Sequence, residues 1–182
     1  VAVSRKLMGA TDPAKAEEAV KYGVGVLKRA ITRADAPSLV GRARLALGDL
    51  KRAEKALLRV LKLVPNDYKA ALALAAVYGK TERTDEALEQ YRKTADLDPN
   101  DTRALLGAAR LAMTVGRRAV AAGFLQRALT RNPKDAVVLA LLGEVTAARG
   151  DRVKAREYYN RALKGICEID RDEVEQALYQ LR

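Results

Sequence analysis

The chain has 182 residues, 49% hydrophobic and 31% charged, with a formal charge of +11, five prolines, one cysteine and no histidine. With no imidazole, and only Ser4 and Ser38 as serines, the usual nucleophile with a histidine base cannot be assembled, and Cys/His zinc clusters are excluded likewise. The lone Cys167 rules out an internal disulfide, and no apolar run approaches the roughly 20 residues that cross a bilayer.

Pro65, Pro99 and Pro133 stand 34 residues apart and open the turns LVPND, LDPND and RNPKD. A fixed period of this length marks a stacked array of helical hairpins, none of which can bury its apolar face alone. The expected organisation is one all-α array: a shortened unit at 1–33, four full units at 34–67, 68–101, 102–135 and 136–169, and a capping helix at 170–182.

In chain order, residues 1–33 align TDPAKA (11–16) with GDRVKA (150–155), which places the chain's start at position 5 of a unit. Asp12-Pro13 is a good helix start, and Ala16, Val20, Val24, Leu27 and Ile31 continue a helical stripe. Gly23 and Gly25 weaken that helix by roughly 1 kcal/mol each; they follow no strand and do not form a nucleotide-binding loop. In the four full units, position 8 is Gly41, Ala75, Ala109 and Gly143, and position 20 is Ala53, Ala87, Ala121 and Ala155. These are the small residues expected where two helices cross closely, and position 24 supplies the large ones: Leu57, Tyr91, Leu125 and Tyr159. Carboxylate pairs such as Glu17/Glu18 and Asp85/Glu86 fall early in second helices, where the helix dipole favours them, so they read as structural. At the end, Asp170 and Glu173 form a capping-box-like start. Val174, Ala177, Leu178 and Leu181 share one face, and Asp172, Glu173, Glu175 and Gln176 supply a polar outer side.

This combination of period, small residues at 8 and 20, bulk at 24 and proline at 32 resembles the tetratricopeptide repeat (TPR) family over nearly the whole chain. The family's usual aromatics are largely missing: position 4 is Pro37, Ala71, Leu105 and Leu139, and position 11 is aromatic only at Tyr78. The resemblance implies a superhelical solenoid of antiparallel helix pairs that binds protein, is not an enzyme and needs no cofactor or metal.

With positions 4, 7, 8 and 11 packed inward, positions 2, 5, 9 and 12 of each first helix would face the groove. They are Asp35, Ser38, Arg42 and Leu45; Lys69, Leu72, Ala76 and Gly79; Arg103, Leu106, Arg110 and Met113; and Val137, Ala140, Glu144 and Ala147. This apolar lining with basic punctuation suits an amphipathic helix or extended peptide carrying apolar and acidic groups. The lysine and asparagine set by which one TPR subclass grips chaperone tails is missing, since Ser38, Arg42, Ala73 and Gly107 stand in its place.

Charge is uneven: the unit at 68–101 carries −2 and the unit at 102–135 carries +6. Arg117, Arg118, Arg127, Arg131 and Lys134 predict a basic outer patch for an anionic membrane surface, a membrane protein or an acidic protein. Nucleic acid is disfavoured, because eight aromatics in all provide no stacking platform in the groove.

The leading hairpin, the four units and the ending EID…VEQAL…Arg182 also resemble the magnetosome-associated TPR proteins. That narrower resemblance implies a cytoplasmic homo-oligomeric scaffold, peripheral on the magnetosome membrane, with residues 1–33 of one molecule meeting the Leu72, Leu106, Arg110 stripe of another. Two other readings stand beside it: a periplasmic assembly factor for a pilus or secretion system, and a substrate-recruiting regulatory module of a larger enzyme.

Overall fold

Each second helix in the full units starts one repeat after the last, at Leu50, Thr84, Arg118 and Arg152, so the 34-residue period of the sequence is the period of the structure. The computed structural model describes residue 21, residues 35–164 and residues 171–181. Among the described residues all regular structure is helical: α1 Asp35–Ala46, α2 Leu50–Leu63, α3 Tyr68–Lys80, α4 Thr84–Leu97, α5 Arg103–Thr114, α6 Arg118–Arg131, α7 Ala136–Ala148, α8 Arg152–Leu163 and α9 Arg171–Gln180. Apart from residue 21, the expected leading unit at 1–33 with its Gly23 and Gly25 lies outside the described residues, as do the start of the cap at Asp170, Cys167 and Arg182.

The chain divides into two units between Leu97 and Asp98. In the first, α1 packs on α2, α3 on α4, and α3 also on α1 and α2. In the second, α5 packs on α6, α6 on α7, α7 on α8, and α8 on the cap α9.

Local chemistry explains the helix boundaries. The aspartate that closes the LVPND and RNPKD turns caps the next helix: Asp67 Oδ1 accepts from Ala70 N at 2.9 Å and Asp135 Oδ1 from Val138 N at 3.1 Å. Asp49 and Asp151 cap α2 and α8 in the same way, at 3.3 and 3.1 Å. Each such cap satisfies an amide that the helix itself leaves unbonded. Between the helices of a hairpin the chain must enter the left-handed region, and Gly48, Gly116 and Gly150 do so at φ 77°, 75° and 88°. The equivalent residue of the second described hairpin is Glu82, held at φ 61° without a glycine's freedom.

The crossings are as tight as the small-residue columns require. A methyl group at Gly41 would lie 2.5 Å from Leu57 Cδ2, and one at Gly143 would lie 2.5 Å from a ring carbon of Tyr159. Position 8 therefore meets position 24 of its own hairpin. Ala53, Ala87, Ala121 and Ala155 are fully buried, which leaves no room for a longer side chain at position 20. In the first unit Ala53, Leu57 and Val60 of α2 join Ala70, Ala73, Leu74 and Val77 of α3 in one core. In the second, Ala155 and Tyr159 of α8 join Val174 of α9, so the cap buries the apolar face that its sequence marks out.

Candidate functional site

The first helices of the second unit build one side of a concave pocket of about 660 Å³. Its lining includes Val137, Ala140, Glu144 and Ala147 of α7 and Arg110 of α5, all from the helical stripe that the repeat register assigns to the groove. The opposite side comes from Glu173, Val174, Ala177, Gln180 and Leu181 at the cap, and Leu141 and Tyr159 complete the lining. The period of 3.6 explains why α7 contributes as it does: residues 137, 140, 144 and 147 recur on one face, while Val138, Leu142 and Val145 are buried.

The pocket pairs apolar surface with both signs of charge. Arg110, Glu144 and Glu173 are exposed around it. Burial pushes the Tyr159 hydroxyl's pKa up, and the Glu144 and Glu173 carboxylates push it further in the same direction. Two carboxylates and one guanidinium thus share the lining of this pocket.

The remaining groove candidates are distributed as follows. In the first unit Lys69 is exposed, Arg42, Leu72 and Ala76 are half-buried, and Leu45 packs partly buried against the α2–α3 core. Ser38 departs from the stripe: only 3% of it is exposed, because it is a small residue on a helix packed against both α2 and α3. It does not line an open surface. In the second unit Leu106 and Met113 are half-buried and lie outside the pocket lining. Arg103 is exposed, and its Nε donates to Asp101 Oδ2 at 2.8 Å, at the foot of its own helix.

The expected basic patch does not gather in one place. Arg117 and Arg118 stand at the start of α6, whereas Arg127 and Arg131 lie in its last turns and Lys134 beyond its other end. Fourteen residues at about 1.5 Å each keep those ends about 20 Å apart. Arg131 is also engaged locally, its guanidinium donating to the Asp101 carbonyl at 3.2 Å. Among the described residues no group of His, Cys, Asp and Glu side chains is arranged to hold a metal ion, and no helix is long and apolar enough to cross a membrane.

Sequence reasoning missed the cap side of the pocket. The signal is present, since the face carrying Val174, Ala177 and Leu181 is legible in the sequence, but it reads there as packing surface rather than as the far wall of a concavity.

Comparisons with known proteins agree with this architecture. The tetratricopeptide repeat family model matches residues 41–102 and 106–172. Among curated proteins, the CTR9 homolog of Arabidopsis thaliana is 28% identical over 130 residues, covering 71% of this chain and 12% of the relative. The chain spans only 12% and 13% of the length of the first curated relatives it matches. Among solved structures, MamA from Desulfovibrio magneticus RS-1 superposes with a TM-score of 0.69 at 23% identity, covering 90% of this chain and 87% of that one. A thermophilic TPR protein of Thermus thermophilus, TTC0263, gives 0.69 at 20% identity, covering 91% and 92%. Structural likeness at these identities establishes the fold.

Proposed function

The chain belongs to the tetratricopeptide repeat family, and on that premise we propose that it is a non-catalytic scaffold holding a helix or extended segment of another polypeptide against its first helices. The observation that carries the reading is the pocket of the second unit, where five side chains of the predicted groove stripe, Arg110, Val137, Ala140, Glu144 and Ala147, line one concavity. Apolar side chains of the partner would enter between α7 and the cap, a carboxylate would meet Arg110, and a lysine or arginine would meet Glu144 or Glu173. Exposed Lys69 and half-buried Arg42 and Leu72 would serve the same role in the first unit.

A finer reading draws on the likeness to MamA together with the resemblance of the tail: a homo-oligomeric, cytoplasmic scaffold peripheral on a magnetosome membrane. Residues 1–33 of one copy would seat on another's groove. An asymmetric contact of this kind need not close and can grow into large assemblies. Changing Arg42, Arg103 and Arg110 together to glutamate should then abolish assembly while leaving the helical circular dichroism intact. Dynamic light scattering checks it, and an unchanged particle size refutes it.

The short span matched in the curated relatives favours a second reading, a recruiting module within a longer protein. A pull-down with the intact natural chain at low and high salt separates the two: self-capture supports the homo-oligomeric reading, capture of a different polypeptide without self-capture supports the recruiting module, and capture of no polypeptide overturns both.

A further inference from the structure

The second unit carries a feature that the groove does not use. α6 and α7 pack together and are joined by the short turn at 132–135, so they run antiparallel and the start of α6 lies level with the end of α7. The α5–α6 and α7–α8 turns are therefore neighbours on one edge of this unit. Three large apolar side chains stand out from that edge: Val115 is 42% exposed, Val120 40% and Val153 81%. Around them are exposed Arg117, Arg118, Arg149, Arg152 and Lys154. The one acidic residue of the two turns, Asp151, is turned to its own helix: it caps α8 through Lys154 N at 3.1 Å and meets Lys154 Nζ at 3.2 Å. Among the described residues of the first unit, by contrast, the exposed large apolar side chains are Leu58, Leu63, Val64 and Leu97, none of them at a turn equivalent to these.

We propose that this edge docks the chain on an anionic phospholipid surface, with Val115, Val120 and Val153 entering the headgroup boundary and the flanking arginines meeting lipid phosphates. Shallow apolar burial combined with attraction of several cations to anionic headgroups is what holds peripheral proteins at a bilayer. An acidic protein is the weaker occupant, because protein interfaces centre on aromatic and arginine anchors seated in pockets, and residues 114–120 and 148–154 contain no aromatic side chain. Here the apolar groups are short valines, Val115 in the α5–α6 turn and Val120 and Val153 in the first turns of α6 and α8, which suit shallow entry into a headgroup layer better than they suit anchoring a folded partner.

The test is sedimentation of the full chain with vesicles of phosphatidylcholine alone and of phosphatidylcholine with phosphatidylglycerol. The chain should sediment with the second and not the first, less so at high salt. Neutralising Arg118 and Arg152 together (R118Q/R152Q) should weaken binding about 30-fold, at about 1 kcal/mol per basic side chain. Changing Val115, Val120 and Val153 together to serine should weaken it as well. Arg127→Gln with Lys134→Gln, at the far end of α6, should leave it within about threefold. All variants should melt within a few degrees of the parent, since the changed groups are exposed. Equal binding to both vesicle types overturns the proposal. So does unchanged binding by R118Q/R152Q, or vesicle binding lost equally to the Arg127/Lys134 pair. Capture of polyglutamate or RNA without capture of vesicles overturns it in favour of those partners.

Discussion

The α3–α4 and α5–α6 hairpins share their buried columns, Ala75, Ala87 and Tyr91 in one and Ala109, Ala121 and Leu125 in the other, yet their surfaces differ in charge and in exposed apolar area. In α3–α4 the charges are consumed locally. Arg83 donates to Glu54 of the preceding hairpin at 2.6 Å and to Glu86 at 2.5 Å, and stacks 4.2 Å from the centroid of Tyr78, while Arg92 pairs with Glu89 at 2.8 Å. In α5–α6 the first turn of the second helix has no acidic residue, the segment carries +6, and Val115 and Val120 stand exposed. The contrast teaches where the repeat constrains the sequence. Side-chain size is dictated where helices cross, because a misplaced methylene is felt there, and the exterior is left free to differ: one hairpin pairs its charges internally, and the other carries a large excess of basic side chains.

If that division holds, the same change at position 20 should cost the same in both hairpins. Ala87→Leu and Ala121→Leu each force about three carbons into a closed crossing, and each should destabilise by roughly 1–3 kcal/mol. Denaturant melts that differ widely between the two, or an unaltered midpoint in either, would break the equivalence of the buried columns. A smaller effect of opposite sign is expected at the turns. Glu82 holds a left-handed conformation that its equivalents leave to glycine, so Glu82→Gly should stabilise by about 0.5–1 kcal/mol after the glycine's greater unfolded-state entropy is subtracted. Gly116→Ala should lose a similar amount, and through backbone strain alone, since the added methyl meets nothing within 4 Å.

These positions also mark how far the amino-acid sequence can be read. Gly41, Ala75, Ala109 and Gly143 were legible as crossing points because a close approach leaves one chemical solution, a small side chain, and their partners at position 24 were legible for the complementary reason. The turn column of Gly48, Gly116 and Gly150 went unread, because Glu82 breaks it at the second hairpin by holding a left-handed conformation without a glycine. The groove stripe was legible only as a periodicity. It treats every unit alike, so it could not show that Ser38 is covered while Glu144 at a later turn stays open. The basic residues spread for a different reason. Arg118 and Lys134 are close in the chain, but a straight helix carries them to opposite ends, and the antiparallel packing of α6 on α7 brings the α7–α8 turn, with Arg149 and Arg152, to the Arg118 edge of this unit. Periodic packing is written locally in the sequence, whereas surfaces are assembled from residues one repeat apart and become readable only once the stacking is known.

The smallest effect should come from the charges that α3–α4 keeps to itself. Hydrogen bonds from Arg92, aided by Lys93, hold the Glu89 carboxyl well below its ordinary 4.5, at about 2, and Arg83 holds Glu86 down likewise. A carboxyl whose folded pKa is depressed favours the folded state fully above its unfolded value, and loses that contribution as pH falls from there through its folded value. The melting temperature should thus be flat with respect to these groups from pH 7 to about 5 and decline between about 4 and 2. Glu89→Gln should shallow that decline, and added salt should blunt the difference, because the pair is exposed and screened. The α5–α6 segment has only Asp135 as an acid, so its contribution to the acid limb should be slight. Thermal melts of the parent and Glu89→Gln across this range decide it. Curves that superimpose would mean that the Glu89 pairs are incidental and that the cohesion of this hairpin rests on its buried columns, as it does in the neighbour.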